Sequence, residues 1–255
     1  MKTQLAKDNP HGPGRQGFAW EHVAAGHAVL DFGCHDGKTL AALRHDGVAP
    51  RLGVDLSADA IRQGRSLHPN LRLEAIGRGE PVPAPDASFD RVLLLDVIEH
   101  VADQRAILRE LRRVLKADGR LVVTVPGRHL WSFLDFGNWK FRFPRAHRWW
   151  YVRRHGRDEY EYRYGDANPF GLCGDVERAK GIHEHFSRPS LTRLLRSAGF
   201  EPEIFDGTGY FHRPYAALSK LLPISPLWRT LTAWDLRWFS RAHLFCVAQP
   251  AAGER

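Results

Sequence analysis

No part of this 255-residue chain runs through apolar residues for the ~20 positions that a membrane helix needs. Val92 to Leu95 is cut by Asp96 and Leu121 to Val125 ends at Pro126, so a spanning helix is not expected. The N-terminal MKTQLAKDNPHGPGRQG lacks the apolar core of ~7 to 15 residues of a secretory leader. Residues 1–16 and 251–255 are expected to be mobile tails, and the cytoplasm is the expected compartment. Cys34, Cys173 and Cys246 are few, odd in number and without CxxC spacing, which argues against a disulfide framework and a cysteine zinc site. Acidic residues are also in deficit: 29 Asp and Glu stand against 37 Lys and Arg, a net charge of +8. That balance suits an anionic partner, and its location along the chain has to say which.

What is present is an ordinary globular composition, 43% hydrophobic and 26% charged, which excludes a largely disordered or fibrous chain. HAVLDFGC reads as a strand running into a glycine turn, and KTLAALRHDG follows with helical spacing. RLGVDLS repeats the pattern, with Ser57 placed to cap a helix from Ala58, and LRLEAI supplies a third strand. FDRVLLLDV is continuously apolar, as a strand buried on both faces should be. From Asp103 the positions Ile107, Leu111, Val114 and Leu115 share one helical face, and Asp118-Gly119 is expected to close that helix before the strand RLVVTV. Alternation of this kind predicts a parallel sheet with helices on both faces. Residues 128–182 and 210–240 show no sustained period and read as irregular insertions. Between them Ser187 caps a helix carrying Leu191, Leu194 and Leu195, Gly199 ends it, and AHLFCVA reads as a last strand.

Gly33 and Gly37 lie between a strand and a helix, where missing side chains let backbone N–H groups approach a ligand. Asp55 ends the next strand, and a carboxylate there can accept both hydroxyls of a ribose. The structural alternative is a tight turn and a helix cap. Gly33-x-x-x-Gly37 does not have the G-x-G-x-x-G spacing of a nicotinamide site.

In VLDFGCHDG, GVDLS, PDASFDRVLLLDVIEHV and ELRRVLKADGRLVVTVPG, the chain resembles the class I S-adenosylmethionine-dependent methyltransferases, of the small-molecule, ubiquinone O-methyltransferase-like kind. The match runs over residues 28–127, with an echo in HEHFSRPSLTRLLRSAGF. The resemblance implies a Rossmann-like, seven-stranded sheet with one antiparallel strand, in a domain spanning residues 17–250. It implies S-adenosylmethionine as cofactor, held by Asp31, Gly33, Cys34, Gly37, Asp55, Leu56, Gly79, Glu80, Asp96 and Val97. His35 stands where the family has its middle glycine, and Arg78-Gly79-Glu80-Pro81 replaces the Asp-Ala that often holds adenine, so backbone near Gly79 and Glu80 is expected to serve.

Methyl transfer from a sulfonium is an in-line displacement, so positioning does most of the work, and a base is needed only for acceptors such as hydroxyls. His100 is the candidate catalytic base; the alternative is a helix-start histidine that only packs. Asp96, Glu99 and His100 with the later His183 resemble an E-x-x-E-H plus distant-histidine cation site, shortened by one methylene at Asp96. These ligands admit a divalent cation, but none is expected; the alternative is that Asp96 contacts the cofactor's amino group while Glu99 satisfies a backbone or Arg partner.

Between Lys140 and Arg157 there are seven Lys or Arg and no acid, interleaved with Phe141, Phe143, Trp149, Trp150 and Tyr151. Four readings stay open: a lid over an anionic acceptor, a membrane-surface patch, a nucleic-acid groove with stacking aromatics, or a solvated loop. Trp149, Arg153, His183 and His185 are the candidate acceptor contacts. Residues 210–240 add basic and tryptophan-rich pieces that suit an interface, and no recognisable RNA-binding module accompanies them. The expectation is therefore O-methylation of a small-molecule or lipid- or nucleotide-linked sugar acceptor. RNA 2′-hydroxyl methylation and a non-catalytic nucleoside-binding module are the alternatives.

Overall fold

A computed structural model describes residues 9–12, 14–44, 47–128, 143–164, 184–209, 225–239 and 242–251. The alternation read from the sequence becomes β1 (Val29–Phe32), α2 (Lys38–Ala42), β2 (Arg51–Asp55), α3 (Ala58–Leu67), β3 (Arg72–Ala75), β4 (Phe89–Leu95), α4 (Gln104–Val114) and β5 (Leu115–Pro126). Helix α1 (Arg15–His22) precedes them. The strands form one seven-stranded sheet in the order β3-β2-β1-β4-β5-β7-β6, where β6 is Phe200–Thr208 and β7 is His243–Pro250. Only β7 runs against its neighbours, pairing antiparallel with both β5 and β6. This is the expected Rossmann-like methyltransferase sheet.

β4 is central, and its side chains show why its sequence is continuously apolar. Val92 and Leu94 enter the core formed with α4 and α7 (Arg188–Arg196), while Leu93 and Leu95 enter the opposite core with Phe18, Leu40 and Ile61. Period-2 alternation across a sheet covered on both faces leaves no polar position in the middle of the strand. The caps hold as well: the Ser57 hydroxyl accepts from Ala60 N at 3.2 Å, and Ser187 with Ser190 closes a capping box on α7.

The structure differs from the sequence reading in four places. Helix α4 stops at Val114, and Asp118-Gly119 lies inside β5. The last carbonyls of α4, Arg113 and Val114, accept from Ala87 and Ser88 N, so the loop before β4 satisfies the helix end and no glycine is needed. The segment read as an irregular insertion holds two helices, α5 (Pro144–His155) and α6 (Arg157–Tyr164). They pack through His147 and Tyr151 against Tyr160 and Tyr164, with ring centroids 4.9 to 5.9 Å apart. Their period is written in aromatics, which an aliphatic count misses. The second stretch read as irregular likewise contains helix α8 (Ser225–Phe239). Finally, within the expected tail of residues 1–16, Asn9 Nδ2 donates to Gly17 O and Glu21 Oε1, and α1 begins at Arg15.

Candidate active site

A cleft of about 890 Å³ opens at the carboxyl ends of β1, β2 and β4, with Asp31, Gly33, Cys34, Asp55, Leu56, Gly79, Glu80, Asp96, Val97 and His100 among its lining residues. The turn after β1 is built on positive φ: Gly33 at +82°, His35 at +52° and Gly37 at +76°. A Cβ on Gly33 would run into the Val97 side chain, so this glycine is required for space as well as for its dihedral. His35 tolerates the left-handed conformation because its N–H donates to Asp55 Oδ2 at 2.8 Å. The other oxygen, Oδ1, accepts from Ser57 N at 2.8 Å. Asp55 thus ties the β1 and β2 turns together, and each of its oxygens keeps a lone pair for a ligand hydroxyl. Gly37 does not line the cleft; it caps α2.

Beneath this turn, burial and the neighbouring Asp55 charge push the Asp31 carboxyl up to about 7. Burial, helped by the Asp31 and Asp55 charges, also raises the Cys34 thiol, which leaves it an unreactive wall of the cleft. Gly79, with φ +77°, and Glu80, whose Oε2 accepts from Gly77 N at 2.7 Å, form a further turn whose residues line the cleft.

Asp96 is the most heavily engaged of the predicted residues. Its φ is +56°, its Oδ1 accepts from the Thr124 hydroxyl at 2.7 Å and lies 3.2 Å from His243 Nε2, and its Oδ2 accepts from Arg15 Nη1 at 2.9 Å. Burial acts to raise this carboxyl, but His243, Thr124 and Arg15 together overcome it and hold Asp96 well below the usual carboxylate range. Arg15, Thr124 and His243 come from α1, β5 and β7. The sequence reading missed all three because no local spacing links them to Asp96.

His100 closes the 3₁₀ turn Ile98–His100, nearly buried, with Nε2 3.7 Å from Glu99 Oε1. Glu99 is buried and does not line the cleft. The D-x-x-E-H run is therefore divided, with Asp96 held by Arg15, Thr124 and His243 and Glu99 buried away from the cleft. Among the described residues no three His, Cys, Asp or Glu side chains are grouped to hold a metal ion, and His183 lies outside the described residues. Of the other acceptor candidates, Trp149 and Arg153 sit on α5 and His185 lies just ahead of α7; none lines the cleft. Lys140, Phe141 and Arg142 also lie outside the described residues.

Residues 30–123 match the model of a family described as a methyltransferase domain. The demethylmenaquinone methyltransferase of Symbiobacterium thermophilum is 31% identical over 197 residues, covering 73% of each chain. A Mycolicibacterium smegmatis protein named "Probable S-adenosylmethionine-dependent methyltransferase" is 30% identical over 75% of this chain and 58% of its own. The chain spans 37% to 58% of the length of the mycobacterial relatives it matches. In structure, the YcgJ protein of Bacillus subtilis superposes with a TM-score of 0.54 over 94% of this chain and 99% of that one, at 16% identity, which shows the shared fold.

Proposed function

Because this chain belongs to the class I S-adenosylmethionine-dependent methyltransferases, we propose that it methylates a hydroxyl oxygen of a small-molecule acceptor, or of a sugar carried on a lipid or nucleotide. We read residues 17–250 as one catalytic domain, with 128–182 and 210–240 on its acceptor side. The observation that carries the reading is the Asp55 carboxylate, fixed by two backbone N–H groups at the rim of a cleft large enough for a nucleoside with its side chain. The residues fit the donor: Asp55 would take the ribose hydroxyls, the Gly77–Glu80 turn the adenine, and the Gly33 turn and Asp31 the amino-acid end. Bound there, S-adenosylmethionine supplies a methyl group on a sulfonium leaving group.

The chain's own part is then to orient the acceptor, exclude water and take a proton. His100 lines the cleft and is the proposed acceptor of the hydroxyl proton. Asp96 stays ionised under three donors and acts as a fixed negative wall. His183 and His185 are proposed to meet an acceptor that extends past the cleft. A relative named a demethylmenaquinone methyltransferase supports a small-molecule acceptor.

Calorimetry with S-adenosylhomocysteine against NAD tests the donor. Transfer of a radiolabelled methyl group into cell extract, followed by separation into lipid, glycan and RNA fractions, tests the acceptor class. Label confined to RNA, or absent from all three, would overturn the acceptor reading.

A further inference from the structure

The outer face of α5 is not explained by the cleft. Arg145, Trp149 and Arg153 succeed one another at i, i+4, with Ala146, Trp150 and Arg154 beside them, and all six are exposed. The opposite face, His147 and Tyr151, is consumed by packing on α6. Trp149 is 66% exposed, Trp150 37% and the preceding Phe143 60%, which is unusual for side chains of this size. Among the described residues Arg145, Arg153 and Arg154 make no ion pair; Arg148, on the flank, is paired with Glu161 at 2.9 Å. No acid occurs between Lys140 and Arg157.

We infer that this face of α5 docks on the surface of an anionic lipid bilayer. Large aromatic rings interleaved with cationic side chains on one exposed side of a helix suit the headgroup layer, where indole rings sit at the interface and arginines meet lipid phosphates. The charge complementarity is one-sided, since each arginine gains from anionic headgroups and no acid on the face opposes it. Helix α8 exposes Leu227 and Trp234, further apolar surface of the same kind. Single-stranded nucleic acid fits less well. The Arg153 and Arg154 guanidinium groups lie 5.8 and 6.0 Å from the centroids of the Trp149 and Trp150 rings, over faces that a stacked base would need. The inference goes beyond methyl transfer and does not depend on it: the donor cleft and the α5 face share no residue.

Co-sedimentation of the full chain with vesicles tests it, using equimolar phosphatidylglycerol and phosphatidylcholine against phosphatidylcholine alone, with an oligouridine as the nucleic-acid probe. Binding to the anionic vesicles only is expected. It should weaken as the screening length falls from ~10 Å at 0.1 M salt to ~3 Å at 1 M. Arg153→Ala with Arg154→Ala should lower partitioning roughly 30-fold, about fivefold per arginine near a charged surface. A Trp149→Ser, Trp150→Ser pair should lower it while leaving the salt dependence in place. These side chains project away from the core, and circular dichroism of each variant checks that the fold is kept. No binding to anionic vesicles by the folded wild type, equal binding by both double variants, or salt-sensitive binding to oligouridine alone would overturn the inference. Loss of vesicle binding with S-adenosylhomocysteine binding intact would leave the methyltransferase reading standing.

Discussion

Asp31 makes folding stability depend on pH in a direction opposite to that of an ordinary surface carboxylate, and Asp31→Asn should expose this. The carboxyl is buried at the end of β1 and rises from 3.8 to about 7, chiefly because burial disfavours its charge and then because Asp55 is close. Between those two values the folded chain keeps a proton that the unfolded chain releases, so stability falls as pH rises from ~4 to ~7 and the penalty stays in full above that. A rise of about three pH units corresponds to roughly 4 kcal/mol at ~1.4 kcal/mol per unit. Asparagine cannot ionise and is close in shape to the protonated acid. The variant should therefore match the wild type near pH ~4 and exceed it by up to roughly 4 kcal/mol near pH ~8. Other groups also titrate: His22 and His27 are lowered by burial and add stability as pH climbs toward 6.5, while Asp96 and Asp90 are lowered and act below ~4. They are common to both proteins, so the difference between the two curves isolates Asp31. Urea midpoints followed by circular dichroism from pH ~5 to ~8 give that difference. Curves that remain parallel across the window would refute the assignment of a neutral buried Asp31.

Asp55→Ala should weaken S-adenosylhomocysteine binding by about 2 to 3 kcal/mol, the scale for leaving hydrogen-bonded groups without a charged acceptor, read by calorimetry on the folded variant. Gly33→Ala should destabilise the protein by roughly 2 kcal/mol or more in urea titration, because it adds a left-handed dihedral and a clash with Val97 and strains the turn tied through Gly33 N to Val54 O at 2.8 Å. Once an acceptor is in hand, His100→Ala should lower kcat by roughly 10²-fold with donor affinity nearly unchanged; a variant that keeps its rate would assign His100 to packing alone.

Periodicity made most of the sheet legible. β1, β2 and β4 each bury apolar residues, and the Gly or Asp at or just after the end of each strand, Gly33, Asp55 and Asp96, has a chemistry that belongs to a turn. Local patterns of that kind survive folding because they arise from the sheet's own two-sided burial. Asp55 was readable for the same reason: its position follows from the strand that precedes it. The helices α5 and α6 were not readable, since their stability comes from a stack of His and Tyr rings across two elements, and helical spacing in polar aromatics resembles an irregular segment.

Over residues 28–127, the sequence by itself determined the order of strands and helices, the glycine turn and the acid that faces it, because each depends on neighbours within a few residues. Only the tertiary structure decided what Asp96 does. Read locally it is expected to contact the cofactor, with a cation-ligand role beside Glu99 and His100 as the alternative; in the folded chain it is held by Arg15, Thr124 and His243, the last of them 147 residues away. The antiparallel insertion of β7 beside β5 brings that histidine to the carboxyl edge of the sheet. A carboxylate's role is set by the charges and donors within a few ångströms of it, and those distances are created by the packing of the sheet.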